Sequence, residues 1–66
     1  MKIVVNGEEL DVDAVADITD IIALLGVGEG RVAVMLNGSV ITRDDWQQTK
    51  LAEADRLEVL QFAGGG

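Results

Sequence analysis

Apolar and polar residues alternate with a period of two over most of this chain, and one stretch switches to a helical period. Residues 1–6 are rich in β-branched side chains, with Ile3 and Val5 on one side, and predict a strand. Asn6-Gly7 follows, a two-residue hairpin signal, because both central positions of a type I′ turn need positive φ. Residues 8–13 set Leu10 and Val12 against acids, a half-buried second strand. Ile18, Ile21, Ile22 and Leu25 then recur at i, i+3, i+4 and i+7, one face of a helix. Asp17 is its expected N-cap, Asp20 lies three residues on, and Gly26 suits the C-terminal stop, with Val27 as the accompanying apolar contact. So short a helix needs a sheet to dock on. Residues 31–37 predict a third strand with Val32, Val34 and Leu36 on one face. Asn37-Gly38 is a second tight turn, and residues 39–42 form a short fourth strand. Residues 43–46 read as a turn or single helical turn, and residues 47–54 as irregular. After a turn at Ala54-Asp55, residues 56–62 form the last strand, and the sequence closes Ala63-Gly64-Gly65-Gly66.

One helix on one face of a mixed sheet is the economical packing of these elements. The helix serves as the crossover between the hairpin and the third strand, and the first and last strands can lie parallel in the centre. The expected class is α+β, a β-grasp (ubiquitin-like) fold with four to five strands. Residues 1–63 form its single domain and residues 64–66 a flexible tail. The predicted core is Ile3, Val5, Leu10, Val12, Val32, Val34, Leu36, Leu57 and Val59, faced by the helix residues Ile18, Ile21, Ile22 and Leu25.

The other face of the sheet should be polar, yet the same alternation places Val4, Met35, Leu60 and Phe62 there. Pairing of the last strand with the first and third makes the four neighbours. A contiguous exposed patch of this kind suggests a protein-docking surface, and Met suits a surface that adapts to more than one partner. Isolated exposed apolar residues are common, so the patch rests on the register.

Composition narrows the chemistry. The 66 residues contain no His and no Cys, which removes the commonest general base, the commonest metal ligands, the thiol nucleophile and any disulfide. No catalytic residue and no metal site is expected, and the chain is not expected to be an enzyme. A net charge of -7 argues against nucleic acid and anionic membranes and favours partners with basic surfaces. No apolar run is long enough to span a bilayer and no signal segment opens the sequence, so a cytoplasmic protein, monomeric when free, is expected. Gly26, Gly28 and Gly30 are not a dinucleotide fingerprint. That motif joins a strand to the helix it opens, whereas these glycines follow a helix.

The final glycines are the remaining chemical feature. An extended three-residue tail reaches ~10 Å and, without side chains, enters channels closed to other residues. A free carboxylate on Gly66 is ionised at neutral pH and can attack the α-phosphate of ATP. The acyl-adenylate so formed is open to sulfur or an amine, with all catalytic groups supplied by a partner.

Over essentially its whole length the chain resembles the ThiS family of thiamine-biosynthesis sulfur carriers. The resemblance lies in Met1-Lys-Ile-Val-Val-Asn-Gly-Glu8, Asp17-Ile-Thr-Asp-Ile-Ile-Ala-Leu-Leu25, Arg31-Val-Ala-Val-Met-Leu-Asn-Gly38, Val40-Ile-Thr-Arg-Asp-Asp-Trp46, Asp55-Arg-Leu-Glu-Val-Leu-Gln-Phe62 and the glycine end. Arg43 and Trp46 discriminate best, and Thr42 departs from the family's usual proline. The resemblance implies that Gly66 carries the sulfur and that Gly64 and Gly65 are the threading tail. It further implies a ThiF-type adenylyltransferase using ATP, a sulfur donor such as a cysteine desulfurase relay, and thiazole synthase as acceptor. No cofactor is held permanently. Val4, Met35, Leu60 and Phe62 become the docking residues by analogy. Arg43 has a structural reading, pairing with Asp44 or Asp45, and Trp46 covers one end of the core. The alternatives are the small subunit of molybdopterin synthase, a carrier for cysteine synthesis or tRNA thiolation, a protein modifier joined through Gly66, and an interaction domain with incidental glycines.

Overall fold

The computed structural model describes residues 1–27 and 32–62. The predicted strand start at Arg31, the loop glycines Gly28 and Gly30, and the tail from Ala63 to Gly66 lie outside the described residues. Five strands and one α-helix follow in the expected order: β1 (Lys2–Val5), β2 (Glu8–Asp11), α1 (Ile18–Leu25), β3 (Val32–Leu36), β4 (Ser39–Ile41) and β5 (Arg56–Gln61), with a 3₁₀ helix at Arg43–Gln48 between the last two strands. They form one mixed sheet in the order β2-β1-β5-β3-β4. β1 runs parallel to β5 in the centre, and the other neighbouring pairs are antiparallel. This is the β-grasp arrangement expected from the patterning.

Local chemistry explains the joints. Asn6 and Gly7 have φ of 51° and 84°, and Asn37 and Gly38 have 50° and 88°. Both Asn-Gly pairs thus adopt the left-handed backbone that a two-residue hairpin needs. The helix opens with a reciprocal capping box. The Asp17 carboxylate accepts from the Asp20 N–H at 3.0 Å, and the Asp20 carboxylate accepts from the Asp17 N–H at 3.0 Å, so two donors that a helix start leaves unpaired are satisfied. Gly26 ends the helix at φ 70°, its N–H donating to the Ala23 carbonyl.

The core lies between the sheet and α1. Ile3, Ile18, Ile21, Val34 and Leu57 are almost wholly enclosed, and Val5 and Val59 are buried with them. Leu10, Val12, Ile22, Val32 and Leu36 pack partly against this cluster. Leu25 departs from expectation, being 38% exposed. It is the last residue of a two-turn helix, and the left-handed Gly26 turns the chain away at once, leaving the side chain at the core's margin. The second strand stops at Asp11 rather than Asp13, although Met1 and Val12 still exchange hydrogen bonds beyond its end.

Residues 47–54 are more ordered than their sequence predicts. Trp46 is buried, and its indole Nε1–H donates to the Ile41 carbonyl at 3.0 Å. Leu51 and Ala16, neither expected in the core, are also buried. Backbone bonds tie them together: the Leu51 N–H donates to the Ala16 carbonyl at 3.0 Å, and the Ile18 N–H to the Thr49 carbonyl at 3.3 Å. The connection from β4 to β5 thus closes one end of the core and holds the start of α1.

Candidate docking face

Residues directly opposite each other in a ladder project to the same side of the sheet, so the register decides what shares the face away from α1. In the β3–β5 ladder Leu60 stands opposite Ala33 and Glu58 opposite Met35. In the β3–β4 ladder Val40 stands opposite Met35. Leu60, Ala33, Met35 and Val40 therefore form a contiguous apolar surface, and Phe62, two residues past Leu60, continues it at the end of β5. Leu60 is 48%, Phe62 54% and Val40 68% exposed, whereas the alternate residues Leu57 and Val59 are buried. The apolar character of this face therefore does not serve the core.

Three of the four patch residues named from sequence come together, and Val4 does not. The parallel β1–β5 register places Val4 opposite Arg56, and its other neighbour across the sheet is Glu9. Leu60 is four residues further along β5, ~13 Å at strand rise, with the charged Glu58 between. Val4 is half-buried at the opposite end of the face. Conversely, Val40 and Ala33 were not among the expected patch residues. The signal for Val40 was present: a two-residue Asn37-Gly38 turn requires Leu36 to pair with Ser39, and hence Met35 with Val40.

Glu58 borders the patch on β5, and at the far edge of the same face β2 exposes Glu9 and Asp11. Beyond Phe62 the sequence continues into the glycines, so the patch lies where the chain leaves the sheet. The Arg43–Trp46 element belongs to another region. The Arg43 guanidinium lies over the Trp46 ring, 5.2 Å from its centroid, a cation–π contact, and both border a groove with Thr19, Ile22 and Ala23 of α1. Trp46 thus covers an end of the core, and Arg43 covers Trp46. Among the described residues no cluster of three or more acidic side chains has metal-binding geometry, and no helix is long and apolar enough to cross a membrane.

A β-grasp sheet with one helix behind it and an apolar patch at the end of its last strand defines a ubiquitin-like domain. Comparison with known proteins specifies it further. A sequence model of the ThiS family matches residues 2–66. The chain belongs to the ThiS family. A crystal structure of the thiamine biosynthesis protein ThiS from Geobacter metallireducens superposes with a TM-score of 0.82 at 35% identity, covering all of both chains. A solution structure of a thiamine biosynthesis protein from the same organism gives 0.80, covering all of this chain and 88% of that one. Two thiazole synthases, from Paramagnetospirillum magneticum and Magnetococcus marinus, are 35% and 36% identical over 66 residues. The chain spans one fifth of their length.

Proposed function

We infer that this domain carries sulfur as a terminal thiocarboxylate on Gly66 and delivers it to thiazole formation in the cytoplasm. Residues 1–63 act as the folded handle and residues 64–66 as the tail that enters partner active sites. A ThiF-type adenylyltransferase docks on the face formed by Met35, Val40, Leu60 and Phe62. A carboxylate oxygen of Gly66 attacks the α-phosphorus of ATP, and pyrophosphate leaves. Sulfur arrives as a persulfide from a cysteine desulfurase relay. Its terminal sulfur attacks the acyl carbon and expels AMP, and a second thiol then cleaves the S–S bond, becoming oxidised to a disulfide as the thiocarboxylate is freed. Thiazole synthase is the acceptor.

The observation that carries this reading is the ThiS-family match over residues 2–66 on a chain whose apolar patch adjoins the root of the glycine tail. The thiazole synthase matches support the choice of acceptor, since each contains a stretch similar to this whole chain. The chain itself contains no His and no Cys, and assigning the catalytic groups to partners accords with that composition.

The test is intact mass analysis after incubation with the activating enzyme, ATP and a sulfur source. Replacement of one oxygen by sulfur at the terminus is the expected result. An unmodified chain under those conditions overturns the reading, and Gly-Gly remnants on target lysines would instead identify a protein modifier.

A further inference from the structure

We propose that Asn6 is a positioning residue for the docking face: its side-chain amide replaces the β1 backbone where β1 leaves β5, and so sets the line along which residues 59–62 run off the sheet. The proposal rests on the sulfur-carrier reading, because it concerns presentation of that same face. β1 pairs with β5 only at Val4↔Arg56 and Val5↔Leu57. The Asn6 N–H still reaches the Leu57 carbonyl at 2.9 Å. At that point φ of 51° turns the chain into the Asn6-Gly7 hairpin, while β5 continues to Gln61.

A parallel ladder carried one step further would offer the next residues of β5 a carbonyl and an N–H from the neighbouring strand. Asn6 supplies both from its side chain. Its Oδ1 accepts from the Val59 N–H at 2.8 Å, and its Nδ2 donates to the Val59 carbonyl at 3.3 Å. On the other side, β3 holds the same segment through Val32↔Gln61 and Ala33↔Leu60. Leu60 and Phe62 are the first and third residues after Val59, so the amide acts at the root of the patch. Asn meets two requirements at once: it tolerates the left-handed backbone of the turn and it has both a donor and an acceptor. Gly would keep the turn and lose the clamp. Asp would keep the turn and the acceptor alone.

Those substitutions separate the two roles. In Asn6→Gly, amide hydrogen exchange measured by NMR should accelerate at Val59 while Leu57 stays protected. The kcat for adenylation, followed by pyrophosphate release at saturating carrier with the activating enzyme, should fall by about tenfold or more, since small misplacements of a reacting group cost that much. Loss of folded fraction alone raises the apparent KM and leaves kcat unchanged. Asn6→Asp should fall between wild type and Asn6→Gly. Should Asn6→Gly not fold, Asn6→Asp carries the test: a lowered kcat in a folded chain supports the role, and a wild-type kcat overturns it. Unchanged Val59 exchange or unchanged kcat in folded Asn6→Gly overturns the positioning role alone. A wild-type chain that is not adenylated overturns the carrier reading and this role with it.

Discussion

Val40 stands directly opposite Met35 in the β3–β4 ladder, and the pair extends the apolar face of β5 to the edge of the sheet. Val40 is 68% exposed and supports no core contact, so its apolar character is available to a partner. Together with Leu60 and Phe62 it makes an exposed face outside the buried core.

Phe62→Asp and Val40→Asp should therefore weaken binding to the activating enzyme while leaving stability within about 0.5 kcal/mol of wild type, as for surface substitutions generally. Calorimetric titration alongside thermal melting checks both statements. The charge introduced should cost more at Phe62, beside the tail, than at Val4, which the register sets apart. Unfolding of Phe62→Asp would show that the side chain belongs to the core.

Deletion of Gly65 and Gly66 should abolish adenylation and leave the melting temperature unchanged. The described fold ends its sheet at Gln61, and among the described residues no core residue lies beyond Val59. Pyrophosphate release and circular dichroism on the same sample separate the two effects. Retained activity would reduce the glycines to an incidental terminus.

Asp17→Ala should destabilise the domain by about 1 kcal/mol through loss of the N-cap. A domain of this size then melts roughly 4–8 °C lower. Asp17→Ser should recover most of the loss, because a hydroxyl can still accept from the Asp20 N–H. Equal melting of all three chains would mean that the helix start is held by the Ile18–Thr49 and Ala16–Leu51 backbone bonds alone.

Leu51→Ala should cost about 2–5 kcal/mol, the range for truncating a buried leucine, although Leu51 lies outside every strand and helix. A core of this size supplies only about 3–5 kcal/mol net, so urea unfolding should show a large share of its stability gone. Leu60→Ala, the same chemical change on the outer face, should move the urea midpoint little.

Much of this protein is legible in its order of residues, because the determining interactions are local. The Asn-Gly pairs, the Asp17–Asp20 box, the left-handed Gly26 and the alternation of Ile3, Val5, Leu57 and Val59 each act within a few residues, and each appears where its pattern places it. The strand order follows as well, since a short helix between two hairpins leaves few ways to cover one sheet face. Tertiary structure decided what depends on register and on distant backbone. The parallel offset of β1 against β5 removed Val4 from the patch, and the β4 ladder added Val40. The connection after Trp46 folded back to bury Leu51 and Ala16, although nothing in its periodicity marks it as core. Asn6 shows the limit most clearly: its turn is written in the Asn-Gly pair, but its hold on Val59, 53 residues away, exists only once the two strands lie side by side.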